Sequence, residues 1–347
     1  MPVNQETAAE PILSVRNLKV AIRTPVGSLH ATDGISYDVY PGETFAVVGE
    51  SGCGKSISSL ALMGLLPRAA AATADLCTFD GHPMLSLSRR ELSQIRGDKI
   101  SMIFQDPMTS LNPVYTIGNQ LTEVYIRHGK GGRKEATERA VFLLERVGIK
   151  NAAQRLKSYP HQLSGGLRQR VVIAMAMMCE PKLIIADEPT TALDVTVQTR
   201  TLALLAELQR DFGLAIILIT HDLGVVASMA DRVAVMYAGR IVETAPTREL
   251  FAAPLHPYTQ GLIQCIPNFE QSGEPSHLHT IPGMVPSLFK RHHGCTFHNR
   301  CAFATPECTA APVELRDATE THRYACVHTE QELLGYWRDA ETQEVVR

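Results

Sequence analysis

The chain has 347 residues, 45% of them hydrophobic, and a formal net charge of −3. That length accommodates two domains and that composition an ordinary packed core, while the weak negative charge offers no basic field for nucleic acid or an anionic membrane surface. The opening stretch carries Glu6 and Glu10 without a continuous apolar run, which argues against a secretory leader. The longest apolar stretch, Val171 to Cys179, falls well short of the roughly 20 residues a spanning helix needs. Any role at a membrane is therefore expected through a partner. The eight cysteines of such a chain are expected to be reduced or metal-bound rather than paired.

Taken in chain order, the first strand-like run is Ile12 to Val15 and the second is Phe45 to Val48. The second feeds directly into Gly49, Glu50, Ser51, Gly52, Cys53, Gly54, Lys55 and Ser56, a G-x-x-x-x-G-K-S loop between a buried strand and a helical segment, Ser58 to Leu66. Its glycines permit torsions closed to other residues, so successive N–H groups can point inward at anionic oxygens. Lys55 is placed to reach β- and γ-phosphates, the Ser56 hydroxyl to hold Mg2+, and the helix to turn its positive end on the same charge. A nucleoside triphosphate is the implied ligand. Cys53 lies within this loop and reads first as a small buried filler; the alternative is a thiol whose pKa the helix N-terminus lowers, open to alkylation.

Next come a strand at Ile100 to Phe104 and helices at Lys134 to Val147 and Leu167 to Met178. Residues 106–181 read as a helical subdomain inserted in the nucleotide core. Ser164, Gly165 and Gly166, in the run LSGGL, open the second of those helices with another set of N–H donors at a positive helix end. One nucleotide does not need two such cradles unless the second faces a different molecule. A head-to-tail dimer closed by the triphosphate follows as an expectation.

The strand Leu183 to Ala186 ends in Asp187 and Glu188, the first placed to hold Mg2+ and the second to polarise an attacking water. A helix at Thr196 to Phe212 and a strand at Ala215 to Ile219 follow, the latter running into His221. Alternation of this kind implies an α/β fold with a parallel core. Beyond Pro246 the pattern weakens. Pro254, Pro257, Pro267, Pro275, Pro282 and Pro286, with Gly273 and Gly283, mark a linker and an irregular C-terminal region. There Cys295, Cys301, Cys308 and Cys326 are separated by five, six and seventeen residues, which does not match paired C-x-x-C zinc spacing. Four thiolates suit an iron–sulfur cluster, and a tail so poor in apolar residues needs a staple; zinc and uncoordinated packed thiols stay open. His298, His322 and His328 lie near enough in sequence to be alternative ligands.

GESGCGKS, Gln105 in FQDPMTSLNP, LSGGL, LIIADEP, TALD ending at Asp194, and His221 in THD occur in the order of the ATP-binding cassette family, which the chain resembles from about residue 12 to 250. The longer runs YPHQLSGG, DEPTTALDVT and HPYTQ resemble the ATP-binding subunits of bacterial dipeptide and oligopeptide importers, as does the cysteine-rich tail. The resemblance implies a P-loop NTPase fold with an inserted helical subdomain. It divides the chain into a nucleotide-binding domain at 1–255 and a small irregular Cys-rich C-terminal domain at 256–347.

It further implies ATP and Mg2+ as cofactors. Lys55 and Ser56 would bind phosphate and Mg2+, Gln105 would sense Mg2+ and the attacking water, and Asp187 would support the metal. Glu188 would act as general base, His221 would contact the γ-phosphate, and Asp194 would lie at a dimer seam. It points to a [4Fe–4S] cluster on the four tail cysteines. The implied partners are a second, non-identical ATPase subunit, two transmembrane permeases and an extracytoplasmic substrate-binding protein, with no nucleic acid. The implied place is the cytoplasmic face of the bacterial inner membrane. Nickel, glutathione or another solute, or a soluble ATPase outside transport, are the alternatives to peptide uptake; a nucleotide-dependent regulatory module with a redox-sensing tail is a third. Two departures stand out: Ile22 occupies the position where the family carries an adenine-stacking aromatic, and Leu167 follows the two glycines where Gln is usual.

Overall fold

The computed structural model describes residues 10–191, 194–266, 280–289 and 293–346. The expectations that fall on residues 1–9, on Ala192 and Leu193 of TALD, and on Pro267, Gly273 and Pro275 lie outside the described residues. In chain order the elements are β1 (Leu13–Thr24), β2 (Gly27–Val39), β3 (Thr44–Val48), α1 (Lys55–Leu62), β4 (Ala70–Thr73), β5 (Leu76–Phe79), β6 (His82–Pro83), α2 (Arg89–Ile95) and β7 (Ile100–Ile103). There follow α3 (Pro107–Ser110), α4 (Ile117–Arg127), α5 (Arg133–Arg146), α6 (Ala152–Arg155), α7 (Gly165–Ala176), β8 (Leu183–Asp187), α8 (Val195–Phe212) and β9 (Ala215–Thr220). The last are α9 (Leu223–Met229), β10 (Arg232–Tyr237), β11 (Arg240–Pro246), α10 (Thr247–Ala252), α11 (Pro257–Gln264), α12 (Glu307–Ala310), β12 (Arg316–Asp317), β13 (Arg323–Tyr324) and α13 (Glu330–Val346). Among the described residues no helix is long and apolar enough to cross a membrane.

The chain folds into two compact units whose segments alternate along the sequence. The first comprises residues 1–14, 38–44 and 78–219. Its β7, β8 and β9 pair in parallel, with Ile185 opposite Met102 on one side and Ile217 on the other. Every residue of β8 and β9 is buried. Continuous apolar runs of this kind belong to parallel strands covered on both faces, whereas one-sided strands alternate. Between β7 and β8 lies helix and loop only, as expected for 106–181. There α4 is capped by Thr116 and buries Ile117 and Leu121, and α5 buries Ala136, Ala140, Leu143 and Leu144 at helical spacing.

The second unit comprises residues 15–37, 45–77 and 220–347. Here β1 alternates buried and half-buried positions and pairs antiparallel with β4, Val20 facing Ala72. From Phe45 onward β3 pairs in parallel with β10, which pairs antiparallel with β11 across a bulge at Val235/Met236. β13 then adds to β11 and β12 to β13. One core holds Ala46 and Val48 of β3, Val233 and Tyr237 of β10, Tyr258 of α11 and Phe297 of the cysteine segment.

Three expectations are corrected. The helix behind the phosphate loop is Lys55–Leu62 rather than Ser58 to Leu66, because Gly64 (φ 56°) turns the chain out of the helical region after Met63. α7 starts at Gly165, so the two glycines form its first turn instead of preceding it. The C-terminal region is less irregular than its prolines suggest: it contains α11 and the 17-residue α13, whose buried Leu333 joins Leu255, Tyr324 and Cys326 in a second small core. The strands β4 to β6 carry no clear periodic signal in the sequence, whereas β2 does, Ile35, Tyr37 and Val39 alternating with Ser36 and Asp38, and the expected strands leave it out.

Candidate functional site

In the second unit, the buried strand β3 delivers the phosphate loop to the start of α1. The loop is pressed against backbone. Gly49 has φ 152°, and a Cβ there would lie 2.0 Å from the Met236 carbonyl oxygen. Gly54, the N-cap residue at φ 105°, would meet the Ala31 carbonyl oxygen at 2.2 Å. No side chain fits either position without moving the chain, which is why the spacing of glycines in this loop is strict. Lys55 is only 5% exposed. Its ammonium donates to the carbonyls of Gly49 at 2.7 Å and Glu50 at 3.0 Å, so it already lies along the loop. Ser56, next on α1, is half-buried and engaged. Ser51 and Gly52 form the exposed outer rim.

Of its two readings, Cys53 takes the buried one. It is fully buried, and burial pushes its thiol pKa up, outweighing the pull of the neighbouring Lys55. A buried, protonated thiol is a poor nucleophile, so an activated, alkylation-prone Cys53 is not what the loop builds.

In the first unit, β8 ends on the buried Asp187 and Glu188 follows at φ 45°. A left-handed torsion in a non-glycine residue costs on the order of 1–3 kcal/mol and persists where its surroundings enforce it. They do so here. The Glu188 N–H donates to the Ile219 carbonyl at 2.9 Å. Its carboxylate accepts from Gln105 Nε2 at 2.9 Å and from the Thr191 hydroxyl at 2.9 Å. Gln105 and Glu188, 83 residues apart in sequence, are thus brought into direct contact. Gln105 sits just beyond β7 and Glu188 just beyond β8, at the same carboxyl edge of paired parallel strands, the edge at which open α/β sheets bind ligands.

Also in this unit, Ser164 caps α7, its hydroxyl accepting the Leu167 N–H at 3.4 Å. Ser164 and Gly165 are exposed, and a Cβ on Gly165 would meet nothing within 4 Å. A Cβ on Gly166 would lie 3.0 Å from Val197 Cγ1 of α8. Gln169, one turn further, is buried and donates to the Pro189 carbonyl at 2.7 Å, tying α7 to the segment after Glu188. Asp194 is exposed and caps α8 by accepting the Val197 N–H at 2.9 Å. Bonds from the Thr196 hydroxyl and that N–H hold its carboxyl below the usual range.

His221 is exposed in the second unit, between the end of β9 and Asp222, which caps α9 by accepting from Gly224 and Val225. Ile22 is half-buried in β1, opposite Ala70. All eight cysteines are free. Cys77 and Cys179 are buried and Cys265 half-buried, as ordinary packing residues. The four tail cysteines lie near one another, Cys326 being influenced electrostatically by Cys295, Cys301 and Cys308. Among the described residues, however, no group of three or more His, Cys, Asp or Glu side chains is arranged to hold a metal ion. Of the three tail histidines, His298 bonds to the Cys295 carbonyl, His322 to Glu243 and His328 to the Phe303 carbonyl. Those bonds occupy them as local fasteners.

Two residues of this region escaped sequence reasoning. The Tyr258 hydroxyl accepts the Glu50 N–H at 2.9 Å, and Arg300 pairs with the Glu50 carboxylate at 2.9 Å. Tyr258 belongs to the run HPYTQ, so a signal existed for it without a role. Arg300 carried no signal beyond standing next to Cys301. His256 opens the same run: it caps α11 through the Tyr258 N–H, and burial drives its pKa down to about 3, so it works as a neutral acceptor.

Residues 32–191 match the family model for ABC transporters, and residues 242–308 match the model for the oligopeptide/dipeptide transporter C-terminal region. The chain is 52% identical over 293 residues to the dipeptide transport ATP-binding protein DppD of Bacillus subtilis (strain 168), covering 84% of this chain and 87% of that protein. It is 47% identical over 334 residues to the oligopeptide transport ATP-binding protein OppD of Escherichia coli (strain K12), covering 96% and 98%. Among solved structures, an ATP-binding cassette dimer in a post-hydrolysis state with ADP and phosphate aligns with TM-score 0.61 and 27% identity over 68% of this chain and 99% of that one. The cbiO1 protein of Clostridium perfringens, part of a transporter complex, aligns at TM-score 0.60 and 31% identity over 70% and 91%. With a phosphate loop behind a buried strand, an acidic pair at the end of β8 and an exposed Ser-Gly-Gly helix start, the chain belongs to the ABC transporter family, among relatives that are ATP-binding subunits of peptide transport.

Proposed function

We propose that the chain is the ATP-hydrolysing subunit of an importer for dipeptides or oligopeptides, acting at the cytoplasmic face of a membrane through permease partners. The observation that carries the reading is the Gln105–Glu188–Thr191 contact at the carboxyl edge of β7 and β8. It holds a carboxylate in a strained, over-determined position where a general base belongs. In this reading Lys55 and the loop from Gly49 to Ser56 bind the phosphates, and Ser56, Asp187 and Gln105 serve Mg2+. Glu188 takes the proton of the attacking water, and His221 meets the γ-phosphate. Asp194, Ser164, Gly165 and Gly166 belong to the surface offered to a second ATPase subunit, most simply a non-identical one. An extracytoplasmic binding protein would deliver the solute. The boundary near residue 255 separates the nucleotide-binding part from the peptide-importer part. Turnover of the purified chain should rise when it is reconstituted with its permeases and a peptide-loaded binding protein; turnover indifferent to all three would overturn the reading.

We also infer that Cys295, Cys301, Cys308 and Cys326 hold a [4Fe–4S] cluster that staples the tail. Backbone N–H groups bond toward sulfur at each: from Phe297 and His298 to Cys295, Phe303 to Cys301, Thr305 to Cys308 at 3.5 Å, and His328 to Cys326. Such donors favour thiolates and tune clusters, acting here against burial, the larger effect, which pushes the thiols up, to about 11 at Cys301 and about 12 at Cys326. Protein purified without oxygen should carry about four irons per chain with broad visible absorption, and colourless, iron-free protein would remove the cluster.

A further inference from the structure

Glu50 is the second residue of the phosphate loop, and each of its polar groups is held from elsewhere. Its N–H donates to Tyr258 Oη at 2.9 Å, its carbonyl accepts from Lys55 at 3.0 Å, and its carboxylate pairs with Arg300 Nη1 at 2.9 Å. A carboxylate at the edge of a cradle for a polyanion is an electrostatic liability unless it is compensated. Arg300 supplies that compensation from 250 residues away in sequence.

Arg300 is itself immobilised. Its side chain is 6% exposed. Nε donates to the Pro282 carbonyl at 2.9 Å, Nη2 to the Ile281 carbonyl at 3.1 Å, and Nη1 also to Tyr237 Oη at 3.3 Å. The guanidinium lies 5.7 Å from the Tyr237 ring centre and 5.9 Å from that of Phe297. Those rings pack on each other and on Tyr258, with centroids 4.6 to 5.4 Å apart. This environment uses the planar, multi-donor fork of arginine, which a lysine ammonium cannot reproduce. Arg300 immediately precedes Cys301, so the cysteine segment delivers it.

We propose that Arg300 is a positioning residue for nucleotide binding: by neutralising Glu50 it lets the phosphate loop accept the triphosphate, and so the cysteine segment sets the affinity of the loop. The proposal rests on the chain being an ATP-binding protein. A plain structural fastener would matter only for stability, and its loss would not be repaired by removing its partner. A charge-compensating residue behaves differently, because the penalty on its removal resides in the uncovered carboxylate.

The test is MgATP binding to the purified full chain, measured by titration alongside the melting temperature. Arg300→Gln should weaken binding about tenfold or more, Arg300→Lys less, and Glu50→Gln added to Arg300→Gln should return affinity to within about threefold of the original. Wild-type affinity in folded Arg300→Gln, or a double variant no tighter than the single one, overturns the proposal. Should Arg300→Gln not fold, Arg300→Lys decides: it should bind MgATP more weakly than the parent and recover when Glu50→Gln is added, and wild-type affinity, or a loss that Glu50→Gln does not repair, overturns the proposal. Lys55→Ala serves as the reference. If it binds MgATP normally, the phosphate loop reading itself has failed, whatever Arg300 does.

Discussion

The chain carries two glycine-rich helix starts, before α1 and α7, and they are built on opposite principles. The loop before α1 is packed against its own unit: Gly49 and Gly54 touch carbonyls, Lys55 is buried, and Glu50 is tied by Tyr258 and Arg300. The start of α7 is open, with Ser164 exposed, a capping bond of 3.4 Å and no atom within 4 Å of a Cβ on Gly165. A loop enclosed by its own chain is preorganised and tolerates no change of shape. An exposed set of donors has capacity left over, which suits contact with another molecule. Under the proposed function, the same short-glycine chemistry would act as a private cradle in one place and as a docking surface in the other.

The most severe way to break that comparison is chemical. Glu188→Gln keeps the shape of the side chain but removes its basicity, and should lower ATP turnover by about 10²–10⁴-fold while ATP-dependent dimers accumulate on gel filtration. Turnover unchanged in that variant would mean that the strained carboxylate at the end of β8 is not the base.

Next in size is Gly49→Ala, which should cost more than about 3 kcal/mol of stability in denaturant unfolding, since both the torsion and the Met236 carbonyl oppose a Cβ. A well-folded Gly49→Ala protein with full MgATP affinity would show that the loop is less enclosed than its packing indicates. Smallest in stability is Gly165→Ala, expected within about 1 kcal/mol of the parent because alanine favours a helix and meets nothing there. The same variant should nonetheless slow turnover of the assembled ATPase while leaving MgATP binding to the isolated chain unchanged. Equal losses in both measurements would erase the distinction between cradle and docking surface.

Most of the nucleotide chemistry was legible in the linear order, because short-range backbone rules write it locally. A phosphate loop needs glycine at fixed steps, a buried parallel strand needs an apolar run, and a helix start needs a cap; Gly49 to Ser56, Leu183 to Glu188 and Ser164 to Gly166 satisfy these within a few residues. The short strands β4 to β6 were not legible, since strands such as Ala70–Thr73 lie half-exposed and carry no strong apolar pattern, whereas the alternation of Ile35, Tyr37 and Val39 in β2 was a usable signal. α13 was hidden for another reason: Leu333, Leu334, Tyr336 and Trp337 crowd into little more than one turn around Gly335, and Leu333 finds its role by packing with Leu255 and Tyr324. At Cys53 two local readings competed, and burial favoured the small buried filler over the rule about helix ends.

By itself the sequence determined that this protein grips a triphosphate behind a buried strand, places an acidic pair at the end of another, and lacks a membrane-spanning run. Tertiary structure alone decided that Glu188 bonds Gln105 across 83 residues, that Tyr258 and Arg300 reach back to Glu50, and that Phe297 shares a core with β3. The division follows from range. Backbone torsions and capping act over a few residues and leave a motif, whereas charge compensation and packing act between segments brought together by folding and leave no pattern along the chain.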